Sequence, residues 1–328
     1  MNPSNEPPAE AAPGASGLGM AGITLRAMGR EDWSEVADLI YASTNGWYEA
    51  NGKAAIFGGD PNDVQVFCSV YEALDPGCCV LAVDDETGRI AGSCFFHPRP
   101  THVSLGIMNV HPAHFGRGVA RRLLRFIADL ADGKNLPVRL VSSAMNLDSF
   151  SLYTRAGFVP RTAYQDMVLD GPLPADLGAP LPERARVRDA KPNDAPAMAA
   201  LERELNHIDR GQDYAYFLEN AEGIWHASVL VNEAGGLDGF LVSVAHPASN
   251  MLGPGVARTQ GQAAALIAME LKRHPAKPVF LVPVECAELV QTLYGWGARN
   301  CELHFAQVRG AWRAPAGVVL PTFLPETG

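Results

Sequence analysis

Apolar and polar positions alternate through the first part of the chain in a way that reads as a series of short elements. In Ile23–Met28, Ile23, Leu25 and Ala27 alternate with Thr24 and Arg26, the period of a half-buried strand. Glu31–Ser43 switches to helical spacing, with Val36, Ala37, Leu39 and Ile40 on one face. Asp63–Ala73 reads as a second helix. The apolar runs Cys79–Asp84 and Arg89–Phe96 flank Glu86-Thr87-Gly88 and predict a hairpin. His102–Val110 predicts a strand, and Gly118–Ala131 a helix that places Val119, Leu123, Leu124, Ile127 and Leu130 on one face. Val138–Ser142, Ser149–Arg155 and Phe158–Leu169 complete the set as strand, short helix and last strands. Strands followed by strand–helix–strand–helix–strand predict an α/β chain in the α+β sense: a mixed sheet with helices on both faces.

The same order then recurs. Leu25, Arg26, Asp32, Val36 and Leu39 have counterparts in Val187, Arg188, Asp194, Met198 and Leu201, each 162 positions later. Strands at Ile224–Asn232 and Gly239–Ala245 continue the second copy. Between the copies, Pro172, Pro174, Pro180 and Pro182 mark a semi-rigid linker. The expected organisation is a tail at 1–22, a first domain at 23–170, a linker at 171–184 and a second domain at 185–328, a tandem repeat of one fold.

Composition narrows the function. Formal charge is −10, with 26 basic and 36 acidic residues, which argues against nucleic acid as partner because phosphate neutralisation needs clustered Lys and Arg. Residues 1–22 carry Glu6 and Glu10 but no Lys or Arg, so they read as a disordered tail and not as a secretion signal. No apolar run is long enough for a bilayer, so no membrane partner is expected. Six scattered cysteines (68, 78, 79, 94, 286 and 301) form no CxxC and no zinc spacing, so no metal is expected and the compartment reads as cytoplasmic.

Two stretches carry candidate chemistry. In Met108–Ala120 a strand stops at Pro112, and a loop with Gly116 and Gly118 opens directly into a helix. Unpaired N–H groups at such a helix start suit a pyrophosphate, and Arg117 and Arg121 add charge. A tight strand-to-helix turn would have the same local sequence. In Asn146–Phe158, Asp148 or Ser149 caps a short helix that Gly157 ends. Tyr153 on that helix fits a packing aromatic or a functional hydroxyl.

Together and in this order, the stretches resemble the GNAT acyltransferase superfamily. Its signature is met by Val110-x-Pro112, Gly118-x-Ala120, Asn146 and Leu152-Tyr153-x-x-x-Gly157-Phe158, over roughly residues 23–170. Phe115 departs from it, standing where the family carries Gln or Arg, and Ser149 replaces the usual Ala. The resemblance implies acetyl-coenzyme A, or another acyl-coenzyme A, as co-substrate and no metal. It implies that Phe115, Gly116, Arg117, Gly118, Val119, Ala120 and Arg121 form the pyrophosphate loop. Backbone near Asn109 and Val110 would hold the pantetheine and thioester carbonyl between two splayed strands, with Asn146 and Ser149 nearby. Tyr153 would protonate the departing thiolate after direct attack by a small-molecule or peptide amine in a ternary complex.

The amine's proton needs an acceptor. The family often carries Glu on the strand before Val-x-Pro; here that position is Ser104, and His102, on the same face, is the better candidate base. The segment between the first two helices lines the acceptor pocket in the family, which nominates Trp47, Tyr48 and Glu49. The second half looks degenerate. Arg258-Thr259-Gln260-Gly261-Gln262-Ala263 fits the loop pattern, but Leu293 takes the Tyr153 slot and Cys286 the Asn146 slot, with Tyr294 one residue late. The tandem arrangement is similar to that of mycothiol synthase, although no motif selects that substrate. An acyl-coenzyme A sensor without turnover, and an aminoacyl-transferring tandem relative, are the alternative functions.

Overall fold

A computed structural model describes residues 22–175, 177 and 186–326. The expected tail, apart from Gly22, and linker residues 176 and 178–184 lie outside them. The first half runs β1 (Ile23–Ala27), α1 (Trp33–Ala50), α2 (Gln65–Leu74), β2 (Cys79–Asp84), β3 (Ile90–Pro98), β4 (Val103–Val110), α3 (Val119–Gly133), β5 (Val138–Ser143), α4 (Leu147–Arg155) and β6 (Val159–Leu169). The second half repeats that order: β7 (Val187–Asp189), α5 (Ala195–Asn206), α6 (Gly211–Glu219), β8 (Trp225–Val231), β9 (Leu237–His246), β10 (Ser249–Ala257), α7 (Gln260–Arg273), β11 (Val279–Pro283), α8 (Ala287–Gly295) and β12 (Ala298–Arg309). A short β13 (Val318–Leu320) follows. The repeated Arg and Asp do the same work in both copies. Arg26 grips Asp32 at 2.6 Å and Arg188 grips Asp194 at 2.8 Å, while each aspartate also accepts a backbone N–H three residues before it.

All strands join one mixed sheet, in the order β1-β2-β3-β4-β5-β12-β6-β11-β10-β9-β8-β7, with β13 on β10. The last strand of each half is therefore exchanged. β12 pairs with β5 of the first half, β6 pairs with β11 of the second, and β12 and β6 pair with each other, all antiparallel. The linker at 171–184 divides the sequence but not the sheet.

One face of the sheet carries a core common to both halves. Ile40, Phe67 and Tyr71 from α1 and α2 belong to the same apolar cluster as Met198, Tyr214 and Phe217 from α5 and α6. The opposite face holds two separate clusters, one under α3 with Leu123 and Ile127, the other under α7 with Leu266 and Ile267. Each such side chain, fully buried, contributes about 1.5–3 kcal/mol. Gly92 lets α3 approach: a Cβ there would stand 2.9 Å from both the Asn109 carbonyl and Val119 Cγ1. A buried polar link also joins the halves. Arg99 donates to Asp75 at 2.7 Å and to Asp213 of α6 at 2.6 Å. Among the described residues no helix is long and apolar enough to cross a membrane.

Candidate active site

β4 and β5 are parallel neighbours only at Val103–Val138 and Ser104–Arg139. Beyond that point they diverge. β5 pairs with β12 on its other edge along its whole length, while past Ser104 one edge of β4 has no strand beside it up to Val110. The gap widens into a cavity of about 970 Å³ bounded by α1, β4, the loop before α3, α3 itself and α4. Asn109 lines it, and its side-chain Oδ1 is buried without a partner, while Nδ2 donates to Ser43 at 2.7 Å. An orphaned acceptor in the wall of a cleft fits a ligand that brings its own N–H groups.

The loop before α3 is built for an anion. Gly118 is the N-cap with φ +79°, and Gly116 has φ +73°, conformations that favour glycine. No side chain caps the helix. The first-turn N–H groups of Val119, Ala120 and Arg121, all in the cavity wall, are left for a ligand. Arg121, Arg125, Arg155 and Arg309 line the same cavity; Arg125 is paired with Asp129 and Arg309 with Asp132, and Arg121 and Arg155 show no such pair among the described residues. Within a chain of charge −10 this is a local basic mouth suited to phosphates. The N-cap Asn146 of α4 commits Oδ1 to Ser149 N–H at 3.0 Å, so Nδ2 is what it offers the cavity. These groups fit the diphosphate and pantetheine of coenzyme A.

Of the residues singled out in the sequence, Asn109, Val110, Phe115, Gly116, Gly118, Val119, Ala120, Arg121, Asn146 and Ser149 line this cavity, as do Trp47 and Tyr48. Arg117 does not, because it turns to His114 Nδ1 at 3.1 Å. Glu49 lies on the exposed side of α1, which runs on to Ala50 and makes a helix of the expected acceptor loop. Neither candidate base reaches the cavity. Ser104 and His102 are fully buried where β4 still pairs with its neighbours, Ser104 on the order of 15 Å along the strand from Asn109. His102 Nδ1 meets Thr101 Oγ1 at 3.0 Å. Tyr153 is buried against Phe158 behind the wall that Leu152 and Ala156 present. Burial, then the Glu326 and Cys94 charges, push its hydroxyl well above the ordinary tyrosine value.

Sequence reasoning missed three of the four arginines and the far end of the cavity. Arg125 lies one turn beyond Arg121 on α3, a spacing that was readable; Arg309 reaches the site only through strand exchange and had no local signal. At the far end, Tyr48 donates to Glu302 Oε2 of β12 at 2.8 Å, and Ser143 donates to Glu302 Oε1. Glu302 Oε1 stands 3.9 Å from His304 Nε2, and His304 Nδ1 is 2.9 Å from Asp166 of β6.

The equivalent slot of the second half is filled from within. β10 and β11 pair only at Met251–Val279 and Leu252–Phe280. Past the divergence, β13 lies along β10 from Gly255 to Ala257 and packs on β11. The start of α7 is capped as well, beside a smaller cavity of about 370 Å³ lined by residues 258–261, Cys286 and Glu288. Thr259 Oγ1 caps Gln262 N–H while the Gln262 side chain takes Thr259 N–H, and Arg258 is held by Glu204 and Asp238. Cys286 is the N-cap of α8 without a side-chain bond, Leu293 is buried, and Tyr294 is exposed, donating to Gln165 at 2.7 Å.

Residues 45–158 match the model of the acetyltransferase (GNAT) family. No curated protein matches the chain. Among solved structures, a putative acetyltransferase from Pyrococcus horikoshii superposes with TM-score 0.73 at 14% identity, over 96% of this chain and 99% of its own. A GCN5-related N-acetyltransferase from Sphaerobacter thermophilus gives TM-score 0.61 at 18% identity, over 89% and 96%. At such identity these likenesses concern the fold, and they extend over both halves. The likeness to the acetyltransferase (GNAT) family thus lies in residues 45–158, within the first half.

Proposed function

We propose that the protein is an N-acyltransferase that moves an acetyl or other short acyl group from coenzyme A to a primary amine within a ternary complex. The observation that carries this reading is the uncapped start of α3, opening into the cleft between β4 and β5 under a cluster of arginines. When bound, acyl-coenzyme A would supply a thioester open to direct attack by an amine. The backbone from Gly116 to Arg121 holds the diphosphate, and Arg121 and Arg155 add charge. Backbone groups at Asn109 and Val110 orient the pantetheine, and Asn146 Nδ2 donates to it. Tyr153, kept protonated by burial, donates its proton to the leaving thiolate.

In this reading residues 23–170 form the catalytic domain. Residues 185–328, beyond the linker at 171–184, form a second domain that has lost coenzyme A binding. Six free cysteines suit a reducing, cytoplasmic setting. The test is calorimetric titration of acetyl-coenzyme A, followed by thiol release with a panel of primary amines. Binding with turnover supports the proposal. Binding without turnover on any amine favours a sensor, and absence of binding overturns the acyltransferase reading.

A further inference from the structure

The second half contributes more to the cavity than a scaffold. Tyr48 and Ser143 both line it, and both spend their only hydroxyl proton on the same carboxylate, Glu302, whose side chain is 9% exposed. A hydroxyl that donates inward can only accept on its other side. Ser143 Oγ already accepts the Met145 N–H at 3.1 Å and keeps one lone pair, so Tyr48 Oη is the main acceptor turned to the cavity, with an anion directly behind it. Such a surface takes a group rich in N–H and repels carboxylates and phosphates.

We propose that Tyr48, Ser143 and Glu302 form a recognition subsite for a primary ammonium group, with Glu302, supplied by the exchanged strand β12, as the final acceptor of its proton. Resting on the acyltransferase reading, this inference names both the acceptor's reacting group and the route its proton takes. The bound ammonium gives one N–H proton to Tyr48 Oη as the Tyr48 proton passes to Glu302 Oε2. The nitrogen keeps the bonding pair and becomes a neutral nucleophile. Glu302 becomes a neutral acid, and no oxidant or further reactant is needed. His304, whose Nδ1 lies 2.9 Å from Asp166, stands 3.9 Å from Glu302 Oε1, the oxygen that Tyr48 does not bond. Strand exchange thus makes the site composite: the carboxylate stands 254 residues from the tyrosine that uses it.

The test titrates butylamine, 2-phenylethylamine, tyramine and spermidine, with 1-butanol and 2-phenylethanol as uncharged counterparts, into wild type, Glu302→Gln, Tyr48→Phe and Ser143→Ala. Each titration is run with and without coenzyme A, and melting curves check the fold. Wild type should bind at least one amine about tenfold or more tighter than the alcohols. Glu302→Gln should erase that preference while leaving coenzyme A affinity unchanged, and the two hydroxyl variants should fall between. Equal amine binding by wild type and Glu302→Gln, or no amine preferred over the alcohols, overturns the proposal. Loss of coenzyme A binding in wild type would instead sink the acyltransferase reading, and the amine arms without coenzyme A would still decide the subsite.

Discussion

Glu326, near the end of the chain, accepts a hydrogen bond from the amide of Val141 on β5. Its segment is anchored there, since Tyr71 donates to the Phe323 carbonyl at 3.2 Å. The C-terminal segment thus runs from the plugged slot of the second half, along β13, to the β5 strand beside the open cleft of the first. Burial pushes the Glu326 carboxyl up from 4.5 to about 8, against a smaller opposing effect of the Val141 N–H. A raised pKa means the folded protein keeps a proton that the unfolded chain has released. The stabilisation is complete below pH 4.5 and is lost as pH rises towards 8. Glu326→Gln keeps an acceptor for Val141 but has no proton to lose. The variant should match wild type at acid pH and pull ahead as pH rises, by up to about 1.4 kcal/mol per unit over that window. Urea unfolding of both proteins at pH 4.5, 6 and 8 measures the difference; parallel profiles would show that Glu326 ionises normally.

The halves should unfold together, and Arg99 is one reason. It is buried between Asp75 and Asp213, on either side of the junction. Arg99→Met leaves two buried aspartates without their common cation. Breaking a buried pair in this way costs about 3–5 kcal/mol. The expected result is a large drop in the urea midpoint, with the two halves separating into distinct transitions. A drop below about 1 kcal/mol would mean that apolar packing alone joins them.

Gly118 and Gly261 occupy matching places in the two copies, but only Gly118 has positive φ. Gly118→Ala should cost about 1 kcal/mol or more in stability through backbone strain. Gly118→Trp should also weaken acetyl-coenzyme A binding at least about tenfold, because the side chain would enter the diphosphate cradle. Gly261→Trp should leave binding unchanged, since the slot beside it already holds β13. Calorimetry on the variants separates these outcomes, and loss of binding in Gly261→Trp would place the coenzyme in the second half.

Much of this fold was legible because local pattern and tertiary role agree. Cys79–Asp84 is a strand in both readings, and the apolar face of α3 is the one that packs on the sheet. The first helix was expected to stop at Ser43, yet α1 continues to Ala50, through an Asn45-Gly46 pair that by itself would favour a turn. Tertiary contact overrides the signal: the Asn45 side chain is buried and clasps the Phe57 backbone, donating to its carbonyl and accepting its N–H, both at 2.9 Å. Glu302 was not legible at all. Alternation reveals which face of a strand is buried but not which strand lies beside it, and the partners of Glu302 come from α1 and β5 of the other half. Likewise Ser104 was nominated from its family position and His102 from strand phase, and neither signal says where along β4 the cleft opens.

Tyr153 carries the last prediction. Its ring is packed against Phe158, so Tyr153→Phe preserves volume and should change stability by less than about 1.5 kcal/mol. Only the hydroxyl is removed. If that hydroxyl donates the proton that the thiolate needs, turnover should fall about 10²–10⁴-fold while acetyl-coenzyme A affinity is unchanged. The hydroxyl sits behind Leu152 and Ala156, so its part in the reaction requires α4 to yield slightly when the thioester binds. A structural role would give the reverse signature, with stability reduced and turnover within about threefold of wild type. Single-turnover thiol release, measured beside the melting temperature, reads both quantities from one preparation. A fall in turnover without a fall in melting temperature would make Tyr153 the acid, and the opposite pairing would return it to the core.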